Sequence, residues 1–194
     1  MTAPQTPSQT VGPYFSMILA RDDDGGRMAG PDTPGEHIRI TGRLFDGAGD
    51  PIEDGLLEVW QANAAGRYRH PLDDREAMPL HDGFTGFGRV KTNVADGTFQ
   101  LHTVRPGRVP APDGGLQAPH ISVIVQGRGM LNPAWTRLYF ADEEAANRTD
   151  PVLTSVSRER RATLVATRTD DGAQPTFHLD IRMQGDGETV FLDW

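Results

Sequence analysis

From His37 onward, apolar side chains return at every second position in short runs, and turn signals separate most of them. Successive side chains of a strand point to opposite faces, so this alternation fits half-buried strands and fits helices poorly. Ile38, Ile40 and Leu44 alternate with polar residues or Gly, and Asp46-Gly47-Ala48-Gly49-Asp50-Pro51 closes the run. Further strands are predicted over 56–62, 87–92, 98–104, 120–126, 136–140, 164–168 and 176–183. In the last of these Phe177, Leu179, Ile181 and Met183 share one face, with His178, Asp180 and Arg182 on the other. Turns at Asn63-Ala64-Ala65-Gly66, Ala95-Asp96-Gly97 and Arg105-Pro106-Gly107 separate the runs, and short helices are predicted only at 142–147 and 155–161. Many short strands with Gly/Pro punctuation predict an all-β fold, a β-sandwich with few short helices.

Residues 1–36 are rich in Pro, Gly, Thr and Asp and include the insert Arg21-Asp22-Asp23-Asp24-Gly25-Gly26. They are expected to form an N-terminal arm without regular structure, in front of a single sandwich domain over 37–194. Within the arm, Thr10-Val11-Gly12-Pro13-Tyr14-Phe15 places an aromatic pair behind a Gly-Pro turn, ready to pack on the domain or on a partner. Residues 71–83 read as a long surface loop. The closing residues carry aromatics to Trp194, which predicts a tail tied down on its own sandwich or on another subunit.

A length of 194 residues suits one all-β domain. The net charge of -8 argues against nucleic acid, which needs a clustered basic surface. No window approaches the roughly 18 apolar residues of a membrane span, and the first residues lack the basic start and apolar core of a secretory signal. The expectation is a soluble cytoplasmic protein with no membrane partner. With no cysteine, thiolate ligands and thiol nucleophiles are excluded, and any metal would fall to His, Tyr, Asp or Glu.

The six histidines show no i, i+4 pair, and no G-x-S-x-G elbow, P-loop or dinucleotide fingerprint is present. One strand stands out. On 120–126, His120 and Ser122 share a face while Ile121 and Val123 take the other, and Arg128 follows between Gly127 and Gly129. Two histidines at those positions could grip one metal; this chain offers His-x-Ser. The residue inventory by itself reaches a β-sandwich and no function.

The run Leu56-Leu57-Glu58-Val59-Trp60-Gln61-Ala62-Asn63-Ala64-Ala65-Gly66-Arg67-Tyr68, followed by Phe87-Gly88-Arg89, Asp96-Gly97, Thr103-Val104-Arg105-Pro106-Gly107 and Ala118-Pro119-His120-Ile121, resembles the intradiol ring-cleaving dioxygenases. The resemblance implies their sandwich fold and a ferric iron held by two tyrosines and two histidines. Phenolate donors suit hard Fe(III). Carried over position by position, Tyr68 and His120 remain, while Val109 and Ser122 stand where the second tyrosine and the second histidine belong. The resemblance therefore implies a pseudo-site (Tyr68, Val109, His120, Ser122) with no metal bound by this chain.

One branch of the family, acting on protocatechuate and O₂, pairs two homologous subunits, alpha and beta, of which only beta carries Fe(III). The segments Thr6 to Tyr14, Pro34-Gly35-Glu36-His37-Ile38, Thr136-Arg137-Leu138-Tyr139-Phe140 and Gln184 to Phe191 resemble the iron-free member. The resemblance implies an iron-binding beta partner, a higher oligomer of such pairs, and a substrate pocket completed in trans by Thr10, Gly12, Pro13, Tyr14 and Arg128. No catalytic residue would then lie in this chain alone. Two other readings use the same residues: an independent homodimeric dioxygenase with rearranged ligands, and a non-catalytic sandwich carrier or scaffold.

Overall fold

A computed structural model describes residues 5–20, 26–112, 114–169 and 174–193. Strand β1 (His37–Phe45) carries the alternation expected of it, with Ile38, Ile40 and Leu44 buried and Arg39, Thr41 and Arg43 turned the other way. It is the centre of one layer. β4 (Thr98–Val104) pairs with it antiparallel, from His37 opposite Val104 to Arg43 opposite Thr98, and β10 (Thr176–His178) and β11 (Ile181–Arg182) pair with it parallel. The second layer is antiparallel throughout, in the order β3 (Phe87–Lys91), β2 (Leu56–Trp60), β7 (His120–Gln126), β8 (Ala134–Phe140). β9 (Val165–Thr169) belongs to both layers, pairing antiparallel with β10 and parallel with β8. One continuous sheet thus turns over on itself at β9, and the result is the expected sandwich.

The space between the layers is filled by Ile38, Ile40, Leu101 and Phe177 from one side and Leu57, Val59, Ile121, Val123 and Leu138 from the other. Each such side chain contributes about 1.5–3 kcal/mol on burial, so this core, more than strand propensity, fixes the register. Phe140 meets Phe177 edge to face at 5.0 Å. The Arg105 guanidinium lies about as close to both rings and bonds to Glu36 and Asp142, which hold it firmly protonated.

Four expectations change. The run 176–183 is two strands, although both keep one register on β1, with Arg39 opposite Thr176 and Leu44 opposite Ile181. The ladder is interrupted because the Asp180 carboxylate accepts the Arg43 N–H at 2.9 Å, a short polar side chain competing with backbone pairing. The helix expected at 155–161 lies earlier, as α3 (Pro151–Ser155). Asp150 caps it, accepting Leu153 N–H at 2.8 Å, and Pro151 starts it, the residue types that favour a helix N-terminus. The helix expected at 142–147 is confirmed, as a 3₁₀ turn at 141–143 running into α2 (Glu144–Asn147).

The third change is in the arm, which is not wholly irregular: it contains α1 (Phe15–Leu19). Phe15 and Ala20 bury against Leu56 with Val11 and Leu19 beside them, while Tyr14, Met17 and Ile18, at i, i+3 and i+4, are 67–72% exposed. Beyond Gly26 the chain is part of the sandwich, since Met28 lies in the main core and Ala29 pairs with Phe84. The arm's insert, apart from Gly26, lies outside the described residues. The fourth change is a pair of two-residue strands where none was expected, β5 (Val109–Pro110) against β6 (Leu116–Gln117).

Residues 71–83 form the expected loop, tied by Asn63 Nδ2 to Pro79 O and Arg67 to Met78 O, both at 2.7 Å. The closing segment is tied to its own sandwich: Leu192 N–H donates to Trp135 O at 2.7 Å, and Phe191 packs on the core. Trp194 lies outside the described residues.

Candidate functional site

The outer face of the β2–β7–β8 layer gathers the residues singled out by the sequence. Trp60 of β2 is the partner of Ser122 of β7, and Ser122 is the partner of Arg137 of β8, so these three form one row across the sheet. In the next row His120 faces Tyr139. Tyr68, on the turn after β2, stacks on Trp60 at 5.9 Å with the rings nearly parallel. Asp73 fixes that turn, accepting Tyr68 N–H at 2.8 Å and gripping Arg75 through both oxygens. Those bonds from Arg75 hold the Asp73 carboxyl down at about 2.

Tyr68 and Val109 line a cavity of about 570 Å³ together with Trp60, His70, Arg75 and Pro110. Ser122 lines a neighbouring cavity of about 400 Å³ with Trp60, Phe87, Trp135 and Arg137. Trp60 is the wall between them. Burial pushes the Tyr68 phenol up, against the opposing charges of Arg137 and Arg75, so it is a neutral phenol at neutral pH.

His120 is not open to either cavity. It is 3% exposed, with its ring 5.8 Å from that of Tyr139. Its Nδ1 donates to Ala118 O at 2.7 Å, which leaves Nε2 as a buried lone pair with no hydrogen-bond partner among the described residues. Burial, aided by the Arg137 charge, pulls the imidazole down to about 4, so it is neutral. Beneath it, Tyr139 O–H donates to Asp150 Oδ1 at 3.0 Å, and Asp150 Oδ2 accepts Ala118 N–H at 2.8 Å.

The four pseudo-site positions therefore surround one patch of sheet, and their donors do not fit ferric iron. His120 Nε2 has the unshared pair an imidazole ligand needs. Tyr68 supplies one phenol oxygen, but Ser122 offers only a neutral hydroxyl and Val109 has no donor atom at all, so two of the four positions lack a ligand suited to Fe(III). Three residues of this patch, Arg137, Tyr139 and Asp150, carry its polar contacts, and the residue types alone do not single them out. The alternation along β8, read against β7, would have placed Arg137 opposite Ser122.

The second group of predicted residues lies past the far end of β7, about 20 Å away at the usual strand rise. Thr10, Gly12, Pro13, Tyr14 and Arg128 are all exposed. The arm and the turn after β7 meet here, because Gly129 N–H donates to Thr10 Oγ1 at 2.8 Å across 119 residues of sequence. Gly12 O accepts Phe15 N–H at 3.2 Å, closing the Gly-Pro turn that leads into α1. Gly12 has open space where a Cβ would stand, and Gly129 has φ +86°, a conformation that favours glycine. Arg128 pairs with Asp54, its side chain still 61% exposed. The arm and this turn thus carry a guanidinium, a threonine hydroxyl and an exposed tyrosine, residue types suited to an anionic aromatic ligand.

Comparison with known proteins adds the family. A family model described as dioxygenase matches residues 10–185. The chain is 46% identical, over 99% of its length and 98% of the relative's, to a protocatechuate 3,4-dioxygenase alpha chain of Burkholderia cepacia. It is 33% identical to the beta chain of the same enzyme from that organism, over 78% of this chain and 66% of the relative. Among solved structures it is similar to the dioxygenase domain of a carbohydrate-binding fusion protein from Streptomyces sp. SirexAA-E, with a TM-score of 0.59, 26% identity, and coverage of 94% of this chain and 99% of that one.

Proposed function

The chain belongs to the intradiol ring-cleaving dioxygenase family, and from that membership we propose that it serves as the alpha subunit of a protocatechuate 3,4-dioxygenase, completing the pocket of an iron-bearing beta subunit. The reaction inserts both atoms of O₂ between the two hydroxyl-bearing ring carbons, giving 3-carboxy-cis,cis-muconate. Fe(III) in the partner supplies the oxygen chemistry, and this chain supplies binding. End-to-end identity to an alpha chain and partial identity to a beta chain support a pair of homologous subunits. The proposal extends to higher assembly of such pairs in the cytoplasm. Among the described residues no helix is long and apolar enough to cross a membrane.

The observation that carries the pocket's assignment is the Gly129 N–H to Thr10 Oγ1 bond, which joins the arm to the Arg128 turn in one surface. On that surface Arg128 would pair with the substrate carboxylate, Thr10 and Tyr14 would offer hydroxyls, and Gly12-Pro13 would form a stiff wall. Proline fixes φ there, and glycine permits close backbone approach. A charge-assisted hydrogen bond is worth about 1.5–3 kcal/mol, so Arg128→Ala, reassembled with an iron-bearing beta subunit, should lower kcat/KM for protocatechuate about 10- to 100-fold. An unchanged kcat/KM would refute the role in trans.

A further inference from the structure

We propose that Asp54 is the positioning residue of the pocket surface: it holds the Arg128 guanidinium in the orientation from which it meets a substrate carboxylate, an inference that rests on the role proposed above for Arg128. Asp54 Oδ2 contacts Arg128 at Nε. The sheet brings the two together. On the β2–β7 ladder Leu56 lies opposite Gln126, and continuing that register two residues past both strand ends brings Asp54 level with Arg128. Leu56 is also the residue on which Phe15 and Ala20 of the arm pack, so the ion pair stands beside the arm that carries Thr10 and Tyr14.

The two partners are mounted differently. Asp54 sits on a braced turn: Ile52 N–H donates to Leu44 O at 2.9 Å, Gly55 N–H donates to Oγ1 of the buried Thr92 at 2.8 Å, and Gly55 O accepts Thr92 N–H at 2.9 Å. A Cβ on Gly55 would stand 2.5 Å from the Leu44 side chain, so this turn is packed as well as bonded. Arg128 lies between two glycines, on a turn closed by Met130 N–H donating to Gly127 O at 3.3 Å. The Gly129–Thr10 bond fixes the backbone there and leaves the Arg128 side-chain torsions unrestrained. A long, exposed side chain in that setting samples many rotamers, and binding an anion has to stop them. A carboxylate on a rigid turn removes much of that freedom beforehand. Because the contact is made at Nε, the Nη1–Nη2 edge can take the substrate carboxylate through two parallel bonds. Charge by itself acts with the opposite sign, since Asp54 is negative and repels an approaching anion. The direction of the effect therefore separates positioning from simple electrostatics. An ion pair this exposed adds little to stability, so its removal should leave the fold intact.

Full-length chains carrying Arg128→Ala, Asp54→Asn, Asp54→Ala or the pair D54N/R128A are each reassembled with the iron-bearing beta subunit and assayed with protocatechuate, with circular dichroism as the check on folding. The expected result for D54N and D54A is a KM raised about three- to tenfold, the scale of immobilising one long side chain, with kcat changed by less than about twofold. D54N/R128A should be no worse than R128A, because Asp54 acts through Arg128. Competitive inhibition by catechol, which has no carboxylate, should be the same with and without Asp54. Two replacements at Asp54 keep the comparison available if one fails to fold. An impaired R128A beside a D54N whose KM is unchanged or lower would overturn this inference and leave the role of Arg128 standing. An R128A that behaves as the unmodified chain would overturn both. A further loss on adding D54N to R128A, or an equal weakening of catechol inhibition, would mark a general structural effect and refute the positioning role.

Discussion

His120 stands at a position that the family resemblance assigns to a metal-ligating histidine, and here it is a buried packing residue. Its Nε2 carries a lone pair with no hydrogen-bond partner among the described residues, yet the ring is buried, neutral and hydrogen-bonded to its own strand's entry. Its folded pKa of about 4 lies below the ordinary 6.5, so the unfolded chain binds the extra proton first as pH falls. The stability this contributes is fully present above pH 6.5 and is lost as pH falls through about 4. The gap corresponds to about 3 kcal/mol. Urea denaturation at several pH values between 7 and 4 should show a falling free energy of unfolding, and His120→Gln should flatten that slope. Parallel profiles for the two proteins would show that His120 is not the titrating group.

Strand β1 organises the elements, and its glycine is the tightest point. A Cβ on Gly42 would stand 2.0 Å from Leu179 O and 2.6 Å from the Phe99 ring, so β10, β11 and β4 can close on β1 only where no side chain intervenes. Gly42→Ala should therefore destabilise the protein by about 2 kcal/mol or more, the scale of overpacking a filled core, measured by thermal or urea unfolding. A change of a few tenths would mean that the layer can relax around it. The alternation of β1, β4 and β7 was legible because each buries one face. The break at Leu179-Asp180 was not, because it depends on a side-chain carboxylate capturing the N–H of a residue 137 positions away. The start of α3 is written in Asp150-Pro151, a cap residue followed by proline, and not in any apolar periodicity of its five residues. α1 is not legible from its own residues because Phe15 and Ala20 pack on Leu56, a residue of β2 distant in sequence. The same contrast holds for the site. Motif spacing located Tyr68, Val109, His120 and Ser122, whereas Arg137 and the Asp54 partner of Arg128 become visible only once strands and loops are paired in space.

For the whole molecule, the residues divide between two places at opposite ends of β7. At the start of β7 lie the positions that the family resemblance assigns to a metal, occupied here by packed neutral rings, Ser122 and Val109. Past its end, the arm and the Arg128 turn make an exposed surface, the one proposed to complete the pocket of a second subunit. That division is the central claim, and iron analysis of the full-length chain, expressed without a beta subunit and purified aerobically, tests it most directly. The account predicts far less than stoichiometric iron and no tyrosinate charge-transfer band, with protocatechuate cleavage appearing only after reassembly with the iron-bearing partner. Stoichiometric ferric iron with that band, in the chain by itself, would contradict it.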